Sequence, residues 1–70
     1  MTKRWLSPPP MNCDLCGNEI TGKFYDARIP RHRMFGCVCS GCFALEGCSL
    51  GTGRGQEYTL KNGIWEKTGG

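Results

Sequence analysis

The stretch Cys37-Val38-Cys39-Ser40-Gly41-Cys42, CVCSGC, puts three thiols into six residues, one more than a metal-binding pair requires. Cys39 and Cys42 are separated by two residues, the spacing at which one tight turn presents both sulfurs to a single ion; Cys37 and Cys39 are separated by only one. Upstream, Cys13-Asp14-Leu15-Cys16-Gly17-Asn18 has the C-x₂-C-G form of a zinc knuckle. There, backbone amides beyond the first cysteine point at its thiolate, and Gly17 supplies the left-handed conformation such a turn often needs. Between Cys16 and Cys39 lie 22 residues, enough for one hairpin. The ligands are therefore assigned as Cys13, Cys16, Cys39 and Cys42 around one structural Zn²⁺. Cys37 and Cys48 remain as small, apolar-behaving thiols, with a Cys37–Cys48 disulfide open to them on oxidation. No third cysteine stands near Cys16, which argues against a two-metal cluster, and His32 sits in a basic turn outside any ligand spacing.

A staple is what a chain of 70 residues needs, because its core is too small to offset conformational entropy comfortably. Six cysteines supply the means, as disulfides or as metal ligands. The opening MTKRWLSPPP has two basic residues but no apolar run or small-residue cleavage site, so it is not read as a signal peptide, and no stretch is apolar enough to span a membrane. A cytoplasmic setting is expected, in a bacterial or phage-infected bacterial cell, where paired thiols are more often ligands than disulfides. The formal charge of +3 counts every cysteine as neutral. Four thiolates and one Zn²⁺ would bring it to about +1, so any case for an acidic partner rests on where the cations sit, not on their sum.

The chain divides into four parts. Residues 1–10 form a Pro-rich basic arm, in which Pro8-Pro9-Pro10 favours polyproline II and Trp5 and Leu6 are candidates to dock on the domain. Residues 11–50 are the cysteine module. Within it, Lys23 to Ile29 alternates Phe24, Asp26 and Arg28 with Tyr25, Ala27 and Ile29, the pattern of a half-buried strand. Pro30 to Arg33 makes a basic turn, Met34 to Val38 returns as a second strand, and Phe43 to Glu46 suits a short helix ended by Gly47. Residues 51–55, GTGRG, are a glycine-rich loop, and 56–70 are a second hairpin and tail. Asn62-Gly63 is the preferred type I′ turn, which sets Leu60 opposite Trp65 and Tyr58 opposite Lys67.

The order knuckle, hairpin, second cysteine pair, helix resembles the treble-clef zinc finger over residues 12–47, in a small metal-stapled α+β chain. The resemblance implies that Cys39 and Cys42 lie in the first turn of the helix. A zinc ribbon is the alternative, and it would need a turn and strand after Cys42. MNCDLCGNEITGKFYDAR, CSGCF and LGTGRGQEY are also similar to small uncharacterised zinc-binding proteins of bacteriophages and plasmids, a likeness that implies no activity.

No enzyme is expected. A four-cysteine site leaves the metal no open position for water or substrate, and no histidine–carboxylate cluster suggests acid–base work or a small-molecule substrate. Nucleic-acid binding is the first expectation: Arg28, Arg31 and Arg33 cluster on the hairpin, Arg54 sits in the glycine loop, and Tyr25, Phe35, Tyr58 and Trp65 are stacking platforms if they face solvent. The alternative is an adaptor that binds a host protein, as the N-terminal zinc domain of the Clp-type unfoldase illustrates, anchored by Trp5 and Leu6 or by Leu60 and Trp65.

Overall fold

The computed structural model describes Trp5 and residues 11–70; the expectations for Leu6, for Lys3 and Arg4 and for the proline run fall outside them. Strands β1 (Lys23–Ile29) and β2 (Met34–Val38) form the expected hairpin, helix α1 (Ser40–Leu45) follows, and β3 (Gly55–Lys61) and β4 (Ile64–Gly69) form the second. Asn62 and Gly63 both have positive φ, 50° and 78°, the signature of the type I′ turn. The register is as the turn dictates, with Leu60 facing Trp65 and Tyr58 facing Lys67.

Both hairpins belong to one antiparallel sheet in the order β2-β1-β3-β4. The join is the pairing of β1 with β3, in which Tyr25 faces Glu57 and Ala27 faces Gly55. Both faces of β1 carry packed side chains, Tyr25, Ala27 and Ile29 on one and Phe24 on the other. On the front face Tyr25, Ala27 and Ile29 pack with Val38 and Cys13, and Leu15, Phe43 and Cys48 close over them. Phe43 carries the helix onto the sheet, its ring stacked on Tyr25 at 4.0 Å. Six residues are too few for a helix to persist alone, so this contact and the site below hold it. It ends as expected at Gly47: the Cys48 N–H donates to the Phe43 carbonyl and the Gly47 N–H to the Ala44 carbonyl, a Schellman pair.

On the back face, fully buried Phe24 is the hub of an aromatic cluster. Tyr58 stacks on it at 5.2 Å, while Trp65 and Trp5 meet it edge-on at 5.0 and 5.3 Å. The Trp5 backbone N–H donates to the Trp65 carbonyl at 2.8 Å, so the arm docks at this residue, as one of the two sequence expectations had it. Trp65 is thus a half-buried member of the cluster. Cys37 lies opposite Asp26 on this back face, whereas Cys48 packs against the front core. The sheet stands between them, which closes off the disulfide that the sequence left open to them on oxidation.

Phe24→Ala should cost about 3–5 kcal/mol in denaturant unfolding of the metal-loaded protein, since three rings lose their common partner. Leu45→Ala, at a side chain left in solvent, should stay within about 0.5 kcal/mol of the parent.

Candidate metal centre

Two pieces of chain meet in front of the sheet. The first is the turn from Cys13 to Gly17, closed by the Gly17 N–H donating to the Cys13 carbonyl, with Gly17 at φ 75°. The second is the start of α1, where Cys39 occupies the N-cap and Cys42 lies in the first turn. One Sγ from each of Cys13, Cys16, Cys39 and Cys42 lies within 4.8 Å of the other three. Cys16 and Cys39 are 3.8 Å apart, Sγ to Sγ. A tetrahedral site with metal–sulfur bonds of about 2.3 Å has edges of about 3.8 Å, so the cluster is already close to the size a metal ion needs. Cys39 and Cys42 form the second pair, and Cys37 points to the other side of the sheet.

The thiols are not electrostatically alike. Burial alone would raise Cys13, but the backbone N–H groups of Cys16, Cys39 and Leu15 aim at its sulfur and bring its pKa from 9.0 down to about 6. The Leu15 and Cys16 amides stand 3.4 and 3.5 Å from that sulfur. Cys42 is pushed the opposite way, by desolvation and by hydrogen bonds to the neighbouring thiols of Cys13, Cys16 and Cys39. The first thiolate is therefore prepared by the fold, while full deprotonation of all four needs a cation among them. Cys37 is a poor ligand by contrast: burial and the carboxylates of Asp26 and Asp14 raise it to about 11.

One contributor escaped the sequence. Asp14 pairs with Cys37 through both backbone and side chain, its N–H donating to the Cys37 carbonyl at 3.0 Å and its Oδ2 accepting from the Cys37 N–H at 2.9 Å. The knuckle is thereby clamped to the edge of β2. No spacing rule marks an aspartate inside a C-x₂-C turn for this task, because the partner lies 23 residues away.

The remaining site candidates disperse. Arg28, Arg31, Arg33 and Arg54 are all exposed, but Arg31 leans on Glu46, Nε to Oε1 3.5 Å, beside a carboxylate oxygen that has no hydrogen-bond partner. Arg28 and Arg54 are neighbours, the Arg28 N–H donating to the Arg54 carbonyl at 2.8 Å. Among the aromatic candidates Tyr25 is buried and Tyr58 and Trp65 are half-buried, whereas Phe35 is 55% exposed and faces Arg28 across the β1–β2 pair. No described helix is long and apolar enough to cross a membrane. The chain matches no protein-family model, no curated protein and no solved structure. The likeness to phage and plasmid proteins accordingly gains no support from them, and the functional reading rests on these residues.

Cys13→Ser should abolish stoichiometric metal binding in native mass spectrometry and unfold the domain, as should a strong chelator. Cys37→Ser should leave both metal content and fold intact; equal damage from the two would overturn the ligand assignment. Asp14→Ala should keep the metal yet lose about 1–3 kcal/mol of stability, the cost of leaving the Cys37 amide without its partner.

Proposed function

We propose that this chain is a non-enzymatic module, folded around one structural Zn²⁺, that binds single-stranded nucleic acid across the hairpin face bearing Phe35 and Arg28. Zinc is favoured over harder cations by a donor set of four sulfurs, which suits a tetrahedral ion and leaves it no exchangeable position. Such a centre contributes folding energy rather than Lewis acidity, so the work of the protein belongs to its surface. The arrangement of knuckle, hairpin and a helix that begins between its two ligands supports a treble-clef-like architecture; a helix, not a strand, follows Cys42.

The observation that carries the nucleic-acid reading is Phe35. Among the aromatic candidates it alone stands in solvent, 55% exposed, and an arginine lies directly across the strand pair. A base stacked on Phe35 would place its phosphate within reach of Arg28, the pairing of platform and cation that sequence-tolerant single-strand binders use. The adaptor reading loses most of its anchors, since Trp5 and Trp65 belong to the aromatic cluster; exposed Leu60 and Ile64 are what remains for it.

Binding of a fluorescent single-stranded oligonucleotide should weaken linearly in log Kd against log salt, with about 0.7 of slope per phosphate contact. Phe35→Ala should weaken it by about 1–3 kcal/mol, the worth of one stacked base, without lowering that slope. Unchanged affinity in Phe35→Ala would overturn the reading. A salt-insensitive protein complex lost on Leu60→Ser would put the adaptor in its place.

A further inference from the structure

Arg28 and Arg54 come from opposite sides of the β1–β3 pairing and line one groove, with Pro30 and Ser49 completing the wall. Its volume is about 120 Å³. That lies well below the roughly 300 Å³ at which a pocket encloses a whole small-molecule ligand, so the groove fits a single functional group. Neither arginine pairs with a carboxylate among the described residues, although Lys23 and Arg31 both do. Two arginines that line one small groove with no carboxylate paired to either give it a positive charge that an anion would neutralise.

The groove is also held in shape. The Arg28 N–H to Arg54 carbonyl bond fixes the two backbones next to each other. The turn that carries Arg54 is closed by three bonds between Gly51 and Arg54 or Gly55, at 2.9 to 3.0 Å. Gly51 itself, at φ 136°, leaves the space that the Arg54 guanidinium occupies: a Cβ there would lie 2.5 Å from Nη2 and 2.9 Å from Nε. The guanidinium of this exposed arginine therefore rests against its own turn, over a glycine with positive φ. Arginine in this setting offers a planar fork of donors suited to the oxygens of a tetrahedral oxyanion.

We infer that the groove between Arg28 and Arg54 is a seat for one phosphate group, held by both guanidinium forks. The nucleic-acid reading bears only on where that phosphate comes from, and the seat stands or falls separately. The test uses the zinc-loaded full chain, with arginine Nε–H signals followed by NMR at constant ionic strength. Inorganic phosphate, a 5′-phosphorylated oligonucleotide and the same oligonucleotide without its terminal phosphate are titrated in turn.

Phosphate should shift the Arg28 and Arg54 signals to saturation and leave Arg33 in place. Arg54→Gln, which keeps the turn but removes the charge, should weaken phosphate about tenfold or more while zinc content stays unchanged. Tighter binding of the 5′-phosphorylated strand would identify a terminal monoester as the source; equal binding of both strands, each weakened by Arg54→Gln, would identify the backbone diester. Parallel, non-saturating shifts at every exposed cation would overturn the seat, as would an Arg54→Gln protein that binds phosphate like the parent. Saturating phosphate with no oligonucleotide bound by any variant would support the seat and remove the nucleic-acid reading. Oligonucleotide binding unaffected by Arg54→Gln would do the reverse.

Discussion

Four thiol groups crowded within 4.8 Å of one another are unstable as thiolates unless a cation sits among them, and this conflict organises the whole front of the molecule. With the ion in place, residues 13–16 and 39–42 become one rigid corner. Each of the weaker elements would lean on that corner. The helix has six residues and no side-chain cap at Cys39, the knuckle has only local turn bonds and the Asp14 clamp, and β2 is an edge strand of five residues. None of these would persist on its own propensity, and structural zinc, worth roughly 10–16 kcal/mol in small finger peptides, exceeds what their few buried side chains could supply.

The back of the sheet answers to a different force. Phe24, Tyr58, Trp65 and Trp5 form an apolar cluster without any contribution from sulfur, and their attachment to the front runs through β1. Alternate residues of one strand thus feed the core beside the cysteine cluster and an aromatic one. Polar groups close the seam on the front: the Tyr25 hydroxyl donates to Glu57 Oε2 at 2.7 Å, and Thr68 donates to Oε1 at 2.8 Å. These bonds hold the Glu57 carboxyl below its usual range, while burial, reinforced by Glu57, pushes Tyr25 up to about 12. The second hairpin is consequently tied to the first by a side-chain hydrogen bond on the front of β1 and by ring contacts on its back.

Much of this was legible because it is local. Turn chemistry at Asn62-Gly63, period-two alternation in β1 and cysteine spacing each depend on residues a few positions apart, and they gave the strands, the second hairpin's register and the ligand pairs. What depended on distant pairing was not. Nothing in residues 23–29 or 55–61 announces that they share an edge, and without that pairing the β1 alternation reads as one core and one wet face. The same gap produced the Cys37–Cys48 disulfide, a bond that is reasonable in sequence and blocked by the sheet. It also hid which aromatic would face water: Phe35 sits in the edge strand, beyond the reach of the cluster that covers Tyr58 and Trp65.

The two faces also differ in sign, and that difference guides where an acidic partner would approach. Four thiolates around a divalent ion would leave a net charge of about −2 on the front, which would repel phosphate. Arg28 projects from the other set of β1 residues, with Phe35 across from it and Arg54 alongside. Arg31, in contrast, stands 3.5 Å from Glu46 after the helix, in an ion pair open to solvent on the arginine side. The arginines that looked like one patch in the sequence are therefore two populations. Arg31 stands near Glu46 at the helix end, whereas Arg28 and Arg54 lie by an exposed ring and a groove, with no ion pair to a carboxylate among the described residues. A weak net charge is no obstacle to anion binding under these conditions, because a ligand within a Debye length responds to the local pair of guanidinium groups and not to the distant sum.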